Sequence, residues 1–194
     1  LNYLAAVPAV SMNSGAGALT INFTDAALVG TTDNLALGVN DSTGNVTITD
    51  GGGIVNKLET LTINSASLAS TITALTTSGV GTTTLTITGD ADLTISNAQS
   101  ATTITSTAFT GDLTVTGSAT VATTITTGAG NDIITGGAGN DIITVSASAN
   151  FGDTITGGDG NDIIKVDVTA NLTATDTIDG GTGTDNITFT LDAT

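Results

Sequence analysis

The chain has 194 residues, with 17 Asp and 1 Glu against 2 Lys, no Arg, no His and no Cys, and a formal charge of −16. That inventory excludes nucleic-acid binding, which needs cations against phosphate, catalysis by a His base, an Arg clamp or a Cys nucleophile, Cys/His zinc sites and disulfides. With 44 Thr and 39% hydrophobic residues, the chain is also unlike an acidic disordered tail.

The sequence opens Leu1-Asn2-Tyr3, without an initiator Met or a cationic leader, and reads as a segment of something longer. Its first ten residues are apolar but too few to span a bilayer, so no transmembrane segment is expected. Leu19–Phe23, Leu35–Val39 and Val46–Thr49 read as strands, with a turn over residues 40–45 and a break at Asp50-Gly51-Gly52-Gly53. Residues 1–56 are therefore expected to form a small β-rich region or irregular first coils.

From residue 57 to 126 a Thr, aliphatic, Thr motif recurs: Thr60-Leu61-Thr62, Thr71-Ile72-Thr73, Thr84-Leu85-Thr86, Thr103-Ile104-Thr105, Thr114-Val115-Thr116 and Thr124-Ile125-Thr126. In a strand, alternate side chains face opposite ways, so the aliphatics share a core face and the threonines a wet face. Turn signals such as Gly89-Asp90, Ser96-Asn97, Gly111-Asp112 and Gly117-Ser118 separate the runs. Short strands at a steady pitch predict a solenoid. The steps between strands vary in length, which predicts that the threonines of successive coils fall out of register.

From residue 127 to 194 the repeat is explicit. Thr127-Gly-Ala-Gly-Asn-Asp-Ile-Ile-Thr135 is followed at once by Gly136-Gly-Ala-Gly-Asn-Asp-Ile-Ile-Thr144, then by copies starting at Gly157 and Gly180. Two decayed copies, Ser148–Thr156 and Asn171–Asp179, keep an Asp at the sixth place and an Ile at the eighth. This nonapeptide resembles the RTX (repeats-in-toxin) calcium-binding repeat, GGxGxDxUx with U apolar. The resemblance implies a right-handed parallel β-roll, two nonapeptides per coil, within an all-β solenoid whose glycine turns bind Ca²⁺.

Calcium takes six to eight hard oxygens, and glycine turns let carbonyls and short carboxylates converge. Alternating copies put turns 136, 157 and 180 on one edge, with Asp141, Asp162 and Asp185 as carboxylate ligands and Asp159 as an extra one. The family pattern adds the carbonyls of Gly136, Ala138, Gly158, Gly160, Gly181 and Gly183. On the other edge, Asp132 and Asp153 are candidates for a third ion. The eighth-place residues Ile134, Ile143, Ile155, Ile164, Ile178 and Ile187 are expected to face the core. Asp112 and the other aspartates outside the repeats read as solvated turn residues.

No enzymatic activity is expected: Lys57 and Lys165 are the only cations, and without Trp no aromatic platform exists for a sugar. The Thr/Gly-rich strands, strong acidity, absence of Cys and embedded repeats together resemble a bacterial surface-layer protein exported by type I secretion. That resemblance implies a secreted, self-assembling structural protein at the cell surface. Its partners would be other copies of itself in a lattice or filament, with cell-surface polysaccharide as a further partner. The rivals are a biofilm adhesin or secreted fibre, and the C-terminal RTX folding domain of a secreted enzyme.

Overall fold

A computed structural model describes residues 9–24, 27–28, 32–50, 58–77, 81–146, 152–167 and 172–190. Residues 51–53 of the expected break, Lys57, the Ser78-Gly79 turn and the Ser148–Phe151 stretch lie outside them. Among the described residues the chain forms strands and no helix, and hence no helix long and apolar enough to cross a membrane. In chain order the strands are β1 (Ala9–Ala16), β2 (Leu19–Phe23), β3 (Asn34–Asp50), β4 (Thr60–Ser65), β5 (Ser70–Thr76), β6 (Thr84–Gly89), β7 (Leu93–Ala98) and β8 (Thr103–Phe109). They continue as β9 (Leu113–Thr116), β10 (Thr124–Thr126), β11 (Ile133–Ala138), β12 (Ile142–Val145), β13 (Thr154–Asp159), β14 (Ile163–Asp167), β15 (Thr177–Thr182) and β16 (Asn186–Thr190).

Every pairing is parallel, and beyond β3 the strands alternate between two ladders. Even-numbered strands from β4 to β16 form one ladder, and odd-numbered strands from β5 to β15 the other. The fold is thus an all-β parallel solenoid, of about seven coils from β4 onward. Strand β3 belongs to both ladders. Its first half pairs with β1 and β4, its second half with β2 and β5.

The turn expected over residues 40–45 is a corner inside this one strand. Asp41 takes a left-handed φ of 51°, as do its neighbours on the same corner of the adjoining coils, Ser14 at 48° and Ser67 at 73°. The chain changes direction there while its ladder hydrogen bonds continue. The buried Ser42 hydroxyl secures the corner by donating to the Met12 carbonyl at 2.9 Å.

The core is a stack of aliphatic columns. Leu35, Leu61, Leu85, Ile104, Ile125, Ile143 and Ile164 stand directly above one another, and all are buried. Val115, Ile134 and Ile155 form a column in the facing ladder, with Ile178 partly buried above them. Full burial of each such side chain contributes about 1.5–3 kcal/mol. Ile187 continues the first column but is 36% exposed, because β16 is the last strand of its ladder and nothing described packs over it. The expectation that it faces a closed core fails there for that reason.

The threonines do register. Thr60, Thr84, Thr103 and Thr124 form one outer column, and Thr62, Thr86, Thr105, Thr126 and Thr144 form the next. Residues that vary between coils are taken up at the corners and at bulges past the registered positions, as where Thr86 pairs with Thr105 but Thr88 with Ala108. The coil from Ile125 to Ile143 has the length of two nonapeptides.

Candidate metal-binding turns

The glycine turns are close-packed. Gly137, Gly158 and Gly181 stack at one register position, each with a φ between 92° and 114°, which L side chains rarely adopt. A Cβ on any of them would overlap the carbonyl oxygen of the coil beneath: Ser118, Gly137 and Gly158 respectively. Two residues on, Gly160 and Gly183 repeat the arrangement over the Gly139 and Gly160 carbonyls, and a Cβ on Gly139 would overlap the Ala122 backbone. Side-chain-free turns are therefore required for the coils to approach.

Carboxylates and amides bridge each gap by a fixed rule. The sixth-place Asp reaches back: its Oδ1 accepts the amide of the equivalent residue one coil earlier. Asp185 thus accepts from Asp162 at 2.9 Å, and Asp162 from Asp141 at 2.7 Å. On the opposite edge Asp176 accepts from Asp153 at 2.8 Å, Asp153 from Asp132 at 2.9 Å, and Asp132 from Leu113 at 3.0 Å. The fifth-place Asn reaches forward. Asn140 accepts the Asn161 amide at 2.8 Å, Asn161 the Thr184 amide at 2.8 Å, and Asn131 the Gly152 amide at 2.7 Å.

These hydrogen bonds occupy one carboxylate oxygen and leave the other. Oδ2 of Asp132, Asp141 and Asp162 is buried with no donor, and the three residues are at most 1% exposed. In Asp141 and Asp162 this oxygen lies against the first glycine of its own turn, Gly136 or Gly157, and Asp185 is placed likewise on Gly180. A buried carboxylate oxygen without a partner is costly unless a cation or a proton satisfies it. Burial pushes the Asp132 carboxyl up to about 7, with the Asp153 and Asp112 carboxylates adding to it against the Leu113 amide. Burial likewise raises Asp141 to about 6, with Asp162 adding to it. Asp153 is raised by burial first and by Asp176 and Asp112 after.

The residues present fit a hard divalent cation. Asp141, Asp162 and Asp185 form one column and Asp132, Asp153 and Asp176 the other, so the two edges hold the copies that the alternation of repeats assigns to them. Gly136 stacks with Gly157 and Gly180, Ala138 with Asp159 and Thr182, and Gly160 and Gly183 with Gly139. The carbonyls named from the family pattern therefore belong to turns in contact. Asp159 stands apart from the buried column: it is exposed, and its Oδ1 accepts the Thr182 hydroxyl at 2.8 Å. Among the described residues no group of three or more acidic side chains converges in ligating geometry. Calcium here would draw most of its oxygens from backbone carbonyls and water.

Asp112 was not legible as part of this arrangement. Gly130 packs on Gly111, which places Asp112 beside Asn131 in the fifth-place column. The pairing of Val115 with Ile134 fixes that alignment, and the signal in the sequence is the apolar residue three places after Asp112, matching Ile134 three places after Asn131.

The fold and these turns define a parallel β-solenoid with stacked acidic glycine turns. Residues 122–151, 150–166 and 173–189 match the family described as RTX calcium-binding nonapeptide repeat (4 copies). The chain thus carries RTX repeats, which bind calcium ions and are typical of secreted extracellular proteins. No curated protein and no solved structure matches it significantly.

Proposed function

We propose that this chain is a calcium-stabilised structural segment of a secreted, self-assembling surface-layer protein. The observation that carries the reading is that Asp132, Asp141 and Asp162, in two stacked aspartate columns, each bury an Oδ2 without a donor in a chain of charge −16. Such columns repel one another until a divalent cation is bound, so metal binding becomes folding free energy. One feature favours assembly over a free monomer: the outer faces carry registered Thr columns, interrupted by Lys165 and Asp179, that suit close packing of neighbours in a layer.

The test is electron microscopy of the assembled material with calcium and with excess chelator. Sheets with crystalline order that disperse in chelator support the reading. Single-file fibres would assign the chain to an adhesin or fibre. A calcium-folded chain that stays monomeric would make it the folding domain of some other secreted protein.

A further inference from the structure

The region matching the RTX repeat begins at residue 122, but on the edge that holds Asp132 and Asp153 the column of acceptors starts earlier. Asp92 accepts the Asp112 amide at 2.9 Å, and Asp112 in turn accepts the Asn131 amide at 2.7 Å. Both reach forward, as the fifth-place Asn does within the repeats. Asp132 reaches back across the same gap to the Leu113 amide at 3.0 Å.

In the gaps from Asn131 to Gly152, from Asn140 to Asn161 and from Asn161 to Thr184, the forward-reaching group is a neutral Asn and only the backward-reaching one is an Asp. The gap between the turn at 111–113 and the turn at 128–132 therefore holds two carboxylates, one from each side. Asp132 is 1% exposed and its Oδ2 has no donor. The Gly111 carbonyl packs against Gly130 in the same gap. The chain has no Arg or His, and the one described cation, Lys165, lies on β14, away from this turn.

We propose that this gap is a calcium site lying partly outside the repeats, with Asp112 and Asp132 as its two carboxylate ligands and backbone carbonyls and water completing the shell. It rests on the reading that the glycine turns take calcium. It extends that binding one coil upstream, onto a turn that lacks the nonapeptide signature. Calcium would thereby join the Thr-rich coils to the roll that follows.

The test is a calorimetric Ca²⁺ titration of the full chain, wild type against Asp112→Asn, Asp92→Asn and Asp162→Asn. Asn at 112 still accepts the Asn131 amide but carries no charge. Asp112→Asn is expected to lose one ion at saturation, or to weaken one site at least tenfold. Asp92→Asn, which changes the same kind of hydrogen bond one coil earlier, should titrate as wild type. Amide exchange at Leu113 and Asn131 should slow on adding Ca²⁺ in the wild type and not in Asp112→Asn. A wild-type titration for Asp112→Asn, or calcium-insensitive exchange at both amides, overturns the proposal and leaves the two carboxyls sharing a proton. If Asp162→Asn also leaves binding unchanged, the failure belongs to the repeat sites themselves, a separate outcome from losing Asp112 alone.

Discussion

Asp162 accepts the Asp141 amide through Oδ1 at 2.7 Å and keeps Oδ2 of the same carboxyl buried without a donor. One side chain thus serves two purposes: it joins one coil to the next, and it presents a desolvated oxygen to a cation. Substitution can separate the two.

Asp162→Asn retains an acceptor for Asp141 and removes the charge, whereas Asp162→Ala removes both. Without calcium, Ala should be the more destabilising, by the roughly 0.5–1.5 kcal/mol of the neutral hydrogen bond that Asn keeps. With saturating calcium both should lose most of the metal-dependent stabilisation, and Asp162→Ala should lose more than Asp132→Ala, because Asp162 lies between two intact glycine turns. Thermal unfolding of the three variants at fixed calcium checks this, and equal losses at 132 and 162 would contradict it.

The pH dependence should reverse when calcium is present. Asp132, Asp141 and Asp153 have folded-state pKa values raised above the ordinary carboxylate value, to about 7 for Asp132 and about 6 for Asp141. The metal-free native state therefore binds more protons than the unfolded chain between about pH 4 and 7. Its stability should be greatest below the unfolded value and decline as pH rises through the folded values. With excess calcium the ion competes with those protons, and stability should rise over the same window. Denaturant unfolding near the two ends of that window, with chelator and with calcium, gives the four values needed; the same slope in both conditions would contradict the assignment.

Gly158→Ala should be strongly destabilising, because position 158 has a φ of 114° and a Cβ there meets the Gly137 carbonyl. The conformational cost alone is about 1–3 kcal/mol, and the overlap with backbone adds to it. Gly17→Ala is the control: nothing lies within 4 Å of its would-be Cβ. A Gly158→Ala protein as stable as Gly17→Ala would mean that the coils can separate at the turn without cost.

Ile155→Ala and Ile187→Ala occupy the same repeat position at different depths. Ile155 is fully buried and Ile187 is 36% exposed. The first should cost about 2–5 kcal/mol through lost burial and the cavity left behind, and the second well under half of that. Chemical denaturation of the isolated chain measures the difference. In assembled material the two costs should converge if another copy covers β16.

The repeats were readable because the physical demand on each position admits few residues. Glycine stands where a Cβ would collide, Asp where an amide needs a charged acceptor, and Ile where the core closes. The period-2 runs in β4 to β10 were readable for the same reason. What escaped the sequence depends on neighbours in other coils. Residues 40–45 look like a turn and are one, yet Asp41 turns the corner without leaving the ladder, since Ser14 and Ser67 do the same beside it. The threonines register because corners and bulges absorb the spare residues, and spacing along the chain does not reveal where those go. Asp112 resembles any Gly-Asp turn until Asn131 is placed over it. Ile187 has the pattern of a core residue, and its exposure follows from its place in the stack.

The reciprocal reach of the fifth and sixth places has a mechanical consequence. Three of the gaps between repeat coils work as lock stitches: one thread comes from the coil below, through Asn131, Asn140 or Asn161, and the other from the coil above, through Asp153, Asp162 or Asp185. Neither coil satisfies its own turn, so a single repeat has no reason to keep its shape alone. A coil drawn from the middle would open two seams at once, whereas one peeled from an end opens a single seam. Such a roll frays from its ends, and a force along its axis must part whole stitches before it can part strands.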